Sequence, residues 1–266
     1  MATDILERIV AATRAQVDLA RRRVPEKRLR AAAELRRDVR PFEAALRPPG
    51  PSGVNVIAEI KRASPSKGMI AAGLDPALLA ADYAAGGAAA LSVLTETEFF
   101  LGSAKDLAQA RRACSLPVLR KDFIICPYQL YESAAMGADA VLLIVRILPE
   151  RDLRRLIELA AGLGLASLVE VYSEQDLEAA GRAGAHLIGI NNRNLSSFVT
   201  DLDHTLRLLP RLQPGQAAVA ASGIRSRADV LRYRERGVYN FLIGESLVRS
   251  ENPAGFLKWL RGASDG

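Results

Sequence analysis

The sequence predicts an α/β fold: a closed (β/α)₈ barrel preceded by an N-terminal helical extension. Beyond Gly53, apolar strand-like runs alternate with helical patterns, and eight such pairs can be counted. Ionisable residues stand where the apolar runs end, because strands buried on both faces tolerate little charge within them. Barrel enzymes place their active sites on that rim. A doubly wound open sheet is the competing architecture, but eight units without a long crossover favour the barrel.

The extension covers residues 1–47. Apolar residues such as Ile5 and Ile9 recur at helical spacing over 4–23. The proline- and glycine-rich run 47–53 is the strongest breaker in the chain. We therefore divide the chain into an extension at 1–47, too short for a core of its own and packed on the barrel, and a barrel at 48–266.

The barrel strands are predicted from short apolar runs. They span residues 54–60, 89–94, 117–121, 139–145, 166–171, 186–190, 217–221 and 240–243. The helical patterns between them lie at 76–86, 104–113, 127–137, 149–162, 173–183, 202–209, 226–237 and 253–261. N-terminal caps are predicted at Asp75, Ser173 and Ser226, which precede a proline or a capping-box acid.

Composition narrows the class of protein. With 49% hydrophobic residues in 266, the chain can build a large core, and no apolar run approaches the roughly 20 residues that span a bilayer. The first residues lack a basic and apolar leader, so a cytoplasmic protein without membrane contact is expected. The net charge of +6 suits nucleic acid or a small anion. The basic run 21–30 lacks interleaved aromatic residues and any nucleic-acid motif, which favours a solvated helix face and no nucleic-acid partner.

Cysteine and histidine give no sign of a disulfide framework or a metal site. Cys114 and Cys126 do not form a C-x-x-C pair, and reduced, half-buried thiols are expected. His186 and His204 have no neighbouring ligands at metal-binding spacing. We predict no metal.

Glycine-rich turns after the last two strands predict a phosphate site. Gly223 follows the seventh strand and Gly244 the eighth, where glycine lets backbone N–H groups approach an anion. In barrels these two loops are the usual phosphate clamp. The segment 64–68, after the first strand, could close it.

Four ionisable side chains predict proton transfer at the barrel mouth. Glu59 and Lys61 share one side of their strand because strand side chains repeat every two residues. Lys121 and Glu170 end two other strands and should converge with them. Each alone could be a structural ion pair, but together they favour a lysine acid and a carboxylate base.

Motifs at nearly every strand end resemble the indole-3-glycerol phosphate synthase family of tryptophan biosynthesis. They are IAEIKRASPSKG at 57–68, LSVLTE at 91–96, LRKDFI at 119–124, LLIV at 142–145, LVEV at 168–171, GINNR at 189–193, SGI at 222–224 and LIGESL at 242–247. The N-terminal extension is similar as well, so the resemblance covers almost the whole chain.

The resemblance implies ring closure of 1-(2-carboxyphenylamino)-1-deoxyribulose 5-phosphate, with loss of CO₂ and water. By that resemblance, Lys121 is the general acid that protonates the ketone oxygen, and Glu170 is the general base of the dehydration. Lys61 holds the carboxylate and serves as a later acid, and Glu59 supports the lysines electrostatically. No step is a redox step and no dinucleotide fingerprint is present, so no cofactor is expected.

The same resemblance implies the remaining site residues. Asn191 and Ser222 join the catalytic set, and Asn191 orients the carboxylate and the developing hydroxyl together with Arg193. The substrate contacts are Arg193, Phe100, Phe123, Leu142 and Ile224, and the phosphate contacts are Ser64, Gly223, Gly244 and Glu245. The partner is a small phosphorylated substrate, and the protein is expected to be a monomer or a homodimer.

The sequence departs from the family at Ala221, where the family usually has Glu, and more mildly at Asn194, where Asp is common. Loss of that carboxylate removes a negative charge beside the lysines and disfavours their protonated forms. Weakened catalysis with ligand binding retained is the expectation. The sequence leaves open an active variant with compensation, a non-catalytic binder of the phosphate ligand, and an engineered form.

Overall fold

Eight parallel strands close into a barrel in the computed structural model, which describes residues 5–47, 49–50 and 52–262. The strands are β1 (Asn55–Ile60), β2 (Ala90–Leu94), β3 (Val118–Lys121), β4 (Ala140–Ile144), β5 (Ala166–Val171), β6 (Leu187–Asn191), β7 (Ala217–Ala221) and β8 (Asn240–Ile243). Each strand pairs with its neighbours in chain order, and β8 closes on β1. The predicted (β/α)₈, or TIM, barrel is confirmed.

Helices alternate with the strands over the described residues. They are α1 (Ile5–Arg23), α2 (Glu26–Leu35), α3 (Pro76–Ala85), α4 (Ala104–Ala113), α5 (Pro127–Ala135), α6 (Glu150–Gly162), α7 (Glu174–Arg182), α8 (Asp203–Leu208), α9 (Arg227–Arg234), α10 (Glu245–Val248) and α11 (Pro253–Arg261). Three predicted caps are confirmed, since Asp75 accepts amide hydrogen bonds at α3 and Ser173 and Ser226 begin α7 and α9 with complete capping boxes. None of the described helices combines the length and apolar character that a bilayer crossing demands.

Two short features were not predicted. Residues Ala63–Ser64 pair antiparallel with Gly68–Met69 in a small hairpin after β1. Helix α10 begins directly after β8. Two-residue strands and a four-residue helix are too short to show hydrophobic periodicity.

The strands carry two apolar layers because their side chains alternate. Ile57, Leu119 and Leu168 belong to the cluster that fills the barrel. Val56 and Val141 belong to the larger cluster shared with the surrounding helices. The interior is therefore a packed core, which leaves only the ends of the strands open to polar chemistry.

The extension is fastened to the amino-terminal end of the barrel by a buried carboxylate. Asp139, whose side chain is fully buried, pairs with Arg36 at 2.6 Å and with Arg111. It also accepts hydrogen bonds from the backbone amides of Arg40 and Val118, each at 2.9 Å. The division at residue 47 stays a prediction, and the predicted positions Asp4, Pro48 and Pro51 lie outside the described residues.

Candidate active site

A cavity of about 390 Å³ opens at the carboxyl ends of the strands. Its walls bring together all the sequence-predicted site residues except one. They are Glu59, Lys61, Ser64, Phe100, Lys121, Phe123, Glu170, Asn191, Arg193, Ser222, Gly223, Ile224, Gly244 and Glu245. Leu142 is the exception: it is buried in the barrel-filling cluster and does not reach the cavity wall.

The end of β1 supplies one ion pair. The Lys61 ammonium donates to the Glu59 carboxylate, as the two-residue spacing along a strand allows. Burial would raise the pKa of Glu59, but the positive charges of Lys61, Lys121 and Arg193 outweigh it and hold that pKa below its usual value. Glu59 is therefore a carboxylate at neutral pH and balances the cations of the mouth.

Replacing Glu59 by Gln should change how stability depends on pH. A carboxyl pKa held below its unfolded value of about 4.3 contributes stability that is complete above that value and is lost as the pH falls through the folded pKa. The difference in unfolding free energy between the wild type and Glu59→Gln should therefore narrow below about pH 4. Urea denaturation across the acidic range measures it, and a difference independent of pH would contradict the depressed pKa.

A second pair bridges two strands on the other side of the mouth. The Lys121 ammonium at the end of β3 lies 3.8 Å from the Glu170 carboxylate on β5. The amide of Asn191 on β6 donates to the same carboxylate at 3.4 Å. An ammonium donor and a carboxylate acceptor thus face the same cavity from adjacent positions, the arrangement that paired acid and base catalysis needs.

Arg193 crosses the mouth from β6 towards the first and last strands. Its guanidinium donates to the hydroxyl of Ser66 at 2.9 Å and to that of Thr200 at 3.2 Å. The Glu245 carboxylate lies 3.8 Å from the same group. This places a cation between the loop after β1 and the start of α10.

The turns after β7 and β8 bring backbone close to the cavity. Ser222 and Gly223 both adopt left-handed conformations, at φ 69° and 86°. A Cβ on Gly223 would meet the methyl of Thr200 at 2.6 Å, and one on Gly244 would clash with Glu59. The positive φ of Gly223 favours glycine, and a side chain at Gly244 would displace Glu59. Turns of this kind can present backbone amide groups to an anion.

An aromatic wall faces these turns. The rings of Phe100 and Phe123 lie 5.9 Å apart at a tilt of 40°. The Glu96 carboxylate fixes the loop after β2 by accepting the amides of Phe99 and Phe100 at 2.7 Å and 2.9 Å. The wall suits a flat apolar ring.

Several lining residues escaped the sequence reasoning. Ile5, Leu6 and Ile9 of α1 close one side of the cavity, and Leu195 and Phe198 reach it from the loop after β6. The apolar spacing of α1 shows that one face is buried but not against what. The loop carries no periodicity that would have identified it.

Ala221 also lines the cavity, at the end of β7 beside Asn191 of β6. It is 7% exposed and belongs to the barrel-filling cluster, so its methyl points into the mouth. A longer side chain here would extend into the space that the two ion pairs border. No three His, Cys, Asp or Glu side chains come together as a metal site in the described part of the chain.

Comparisons with known proteins agree on one family. The family model described as indole-3-glycerol phosphate synthase matches residues 6–260. A protein of that name from Desulfosudis oleivorans is 58% identical over 258 residues, covering 97% of this chain and 98% of its own length. Another of the same name from Syntrophobacter fumaroxidans is 48% identical over 261 residues, with 98% of both chains covered.

Among solved structures, the barrel is similar to 3-hexulose-6-phosphate synthase from Salmonella typhimurium. The TM-score is 0.63 at 13% sequence identity, covering 79% of this chain and 98% of the other. At that identity the likeness shows the fold alone.

Proposed function

The chain belongs to the indole-3-glycerol phosphate synthase family, and on that premise we propose how its barrel mouth performs the ring closure. The enzyme is a carboxy-lyase of tryptophan biosynthesis. It converts 1-(2-carboxyphenylamino)-1-deoxyribulose 5-phosphate to indole-3-glycerol phosphate. The ring carbon that bears the carboxylate attacks the ketone, CO₂ leaves that carbon, and loss of water completes the indole.

Lys121 and Glu170 carry the proton steps in this proposal. The Lys121 ammonium donates its proton to the ketone oxygen as the carbon–carbon bond forms. Glu170 then accepts the proton released when water is lost. The observation that supports this assignment is that the Lys121 ammonium and the Glu170 carboxylate line the same cavity 3.8 Å apart, so that one bound intermediate can reach both groups.

The β1 pair serves the carboxylate and the leaving hydroxyl. Lys61 holds the substrate carboxylate and donates a proton to the departing hydroxyl, which leaves as water, while Glu59 holds the Lys61 ammonium in place. Asn191 orients Glu170, and Arg193 reaches the carboxylate and hydroxyl from β6. Ser222 completes the catalytic set at the turn after β7.

The ends of the substrate are held on opposite walls. The phosphate lies on the backbone amides of Gly223, Gly244 and Glu245, with the hydroxyl of Ser64 closing the site. The aromatic ring lies against Phe100, Phe123 and Ile224, with Leu142 in the layer beneath. All these residues come from one chain, so the site is complete in a monomer or a homodimer. A cytoplasmic location fits a pathway of phosphorylated intermediates.

Turnover of the carboxyphenylamino-deoxyribulose phosphate, followed by indole fluorescence, tests the proposal. We expect product from the pure protein, whereas no increase in indole fluorescence at high enzyme concentration would contradict the proposed chemistry. A folded Glu170→Gln variant is the matched control, since it keeps the size of the side chain and removes the base.

Ala221→Glu should raise turnover in the same assay. The new carboxylate would enter the mouth beside Asn191 and favour the protonated lysines. An unchanged rate would show that the remaining carboxylates, Glu59 and Glu170, already compensate. Ala221→Gln separates the effect of charge from that of volume.

A further inference from the structure

A buried ion pair lies directly behind the proposed general acid. Side chains alternate along β3 and its continuation, so Lys121 and Phe123 face the cavity while Arg120 and Asp122 face the surrounding helices. Arg120 is 6% exposed and Asp122 is 7% exposed. Neither touches the cavity, and the proposed chemistry does not use them.

Asp122 connects the end of β3 to Thr95, which follows β2. One oxygen, Oδ2, accepts from Arg120 Nη2 at 3.0 Å and from the hydroxyl of Thr95, beyond β2, at 2.5 Å. The other, Oδ1, accepts from the backbone amide of Phe123 at 2.8 Å. This one carboxylate therefore fixes the backbone between the end of β3 and Phe123 of the aromatic wall.

The neighbouring contacts hold the same backbone from both sides. The Thr95 amide donates to the Lys121 carbonyl at 3.1 Å. The side-chain amide of Gln129 donates to the Phe123 carbonyl at 2.9 Å. Arg120 is anchored in turn on α5, to Glu132 at 2.8 Å and Ser133 at 3.0 Å. The backbone that carries the acid and the ring contact is therefore fixed on the side away from the substrate.

We propose that Asp122 is a positioning residue for the reaction: it holds the Lys121 ammonium and the Phe123 ring in one fixed relation. A buried ion pair is a costly way to stabilise a fold, since apolar residues of similar volume often do as well or better. It is an effective way to hold reacting groups within the small tolerance that catalysis demands. This inference rests on the proposed role of Lys121.

The test is Asp122→Asn, with two companions chosen from the same network. Thr95→Val removes the hydrogen bond to Asp122 and the one that Thr95 accepts from Arg120 at 3.1 Å, but it keeps the Arg120–Asp122 ion pair, so no buried charge is left unpaired. Ser133→Ala removes a hydrogen bond to the far end of the Arg120 guanidinium and is the matched control. For each variant we would measure kcat, melting temperature and the inhibition constant of inorganic phosphate, which reports on the loops after β7 and β8.

We expect kcat to fall about tenfold in Asp122→Asn and severalfold in Thr95→Val, and to stay within about twofold in Ser133→Ala. The phosphate inhibition constant should stay unchanged in all three, because their contacts lie across the mouth from the phosphate loops. Two results would overturn the proposal: wild-type kcat in both Asp122→Asn and Thr95→Val, or losses in kcat that follow melting temperature equally in all three variants. Wild-type turnover in Lys121→Ala would instead remove the proposed general acid itself.

Discussion

Lys121→Ala should lower turnover by at least about 10²-fold, the contribution of a positioned general acid. The ammonium lies 3.8 Å from Glu170, and no other described lysine lies on β3 or β5. Little change in melting temperature is expected, since the pair is loose, Lys121 is partly exposed at the cavity, and Asn191 still donates to the buried Glu170 carboxylate. Steady-state kinetics by indole fluorescence, together with a thermal melt, measures both quantities.

Lys105→Ala is the control for that experiment. Lys105 is exposed on α4 and away from the cavity, so its removal tests whether loss of any positive charge slows the enzyme. Near-wild-type turnover by Lys121→Ala would contradict the assignment of the acid. A large fall in both variants would point to a general electrostatic effect on substrate capture.

Asp139→Asn should cost about 3–5 kcal/mol of unfolding free energy, the cost of breaking a buried ion pair on one side. The change leaves Arg36 and Arg111 without their buried counter-charge and weakens the attachment of the extension. The residue precedes β4 at the end opposite the cavity, so folded protein should keep its turnover at low temperature. Urea denaturation monitored by circular dichroism measures the loss.

Asp38→Asn is the companion variant, because Asp38 pairs with the same two arginines from an exposed position. We expect it to cost less than about 1 kcal/mol, as exposed pairs do. An equal loss of unfolding free energy in the two variants would mean that the buried carboxylate of Asp139 stabilises the fold no more than the exposed one of Asp38. A loss of turnover in folded Asp139→Asn would show that the extension also shapes the mouth.

The regular part of the fold was predictable because its signals are local. Strands β5, β7 and β8 coincide with apolar runs bounded by small residues. Such runs are expected because the strands of a parallel barrel are buried on both faces. Ser173 and Ser226 marked helix starts because a capping box is readable from four residues. The hairpin after β1 and the short α10 depend on tertiary contacts and leave no periodic pattern.

The site was predictable in its charged residues and much less so in its surroundings. Glu59, Lys61 and Lys121 stand out because a charged side chain next to a buried strand is costly unless it is paired or functional. The apolar face of α1 could have packed anywhere on the barrel, and only the structure places Ile9 on the cavity wall. The role of Asp122 could not be predicted from the sequence, since its hydrogen bond with Thr95 joins residues far apart in the chain.

A crystal structure with indole-3-glycerol phosphate bound would test most directly whether this mouth is the catalytic site. The account predicts the phosphate on the amides of Gly223 and Gly244, and the indole ring against Phe100. It also predicts that the ring lies within reach of both Lys121 and Glu170. Product bound with its indole ring away from this pair, or its phosphate outside the loops after β7 and β8, would contradict the account.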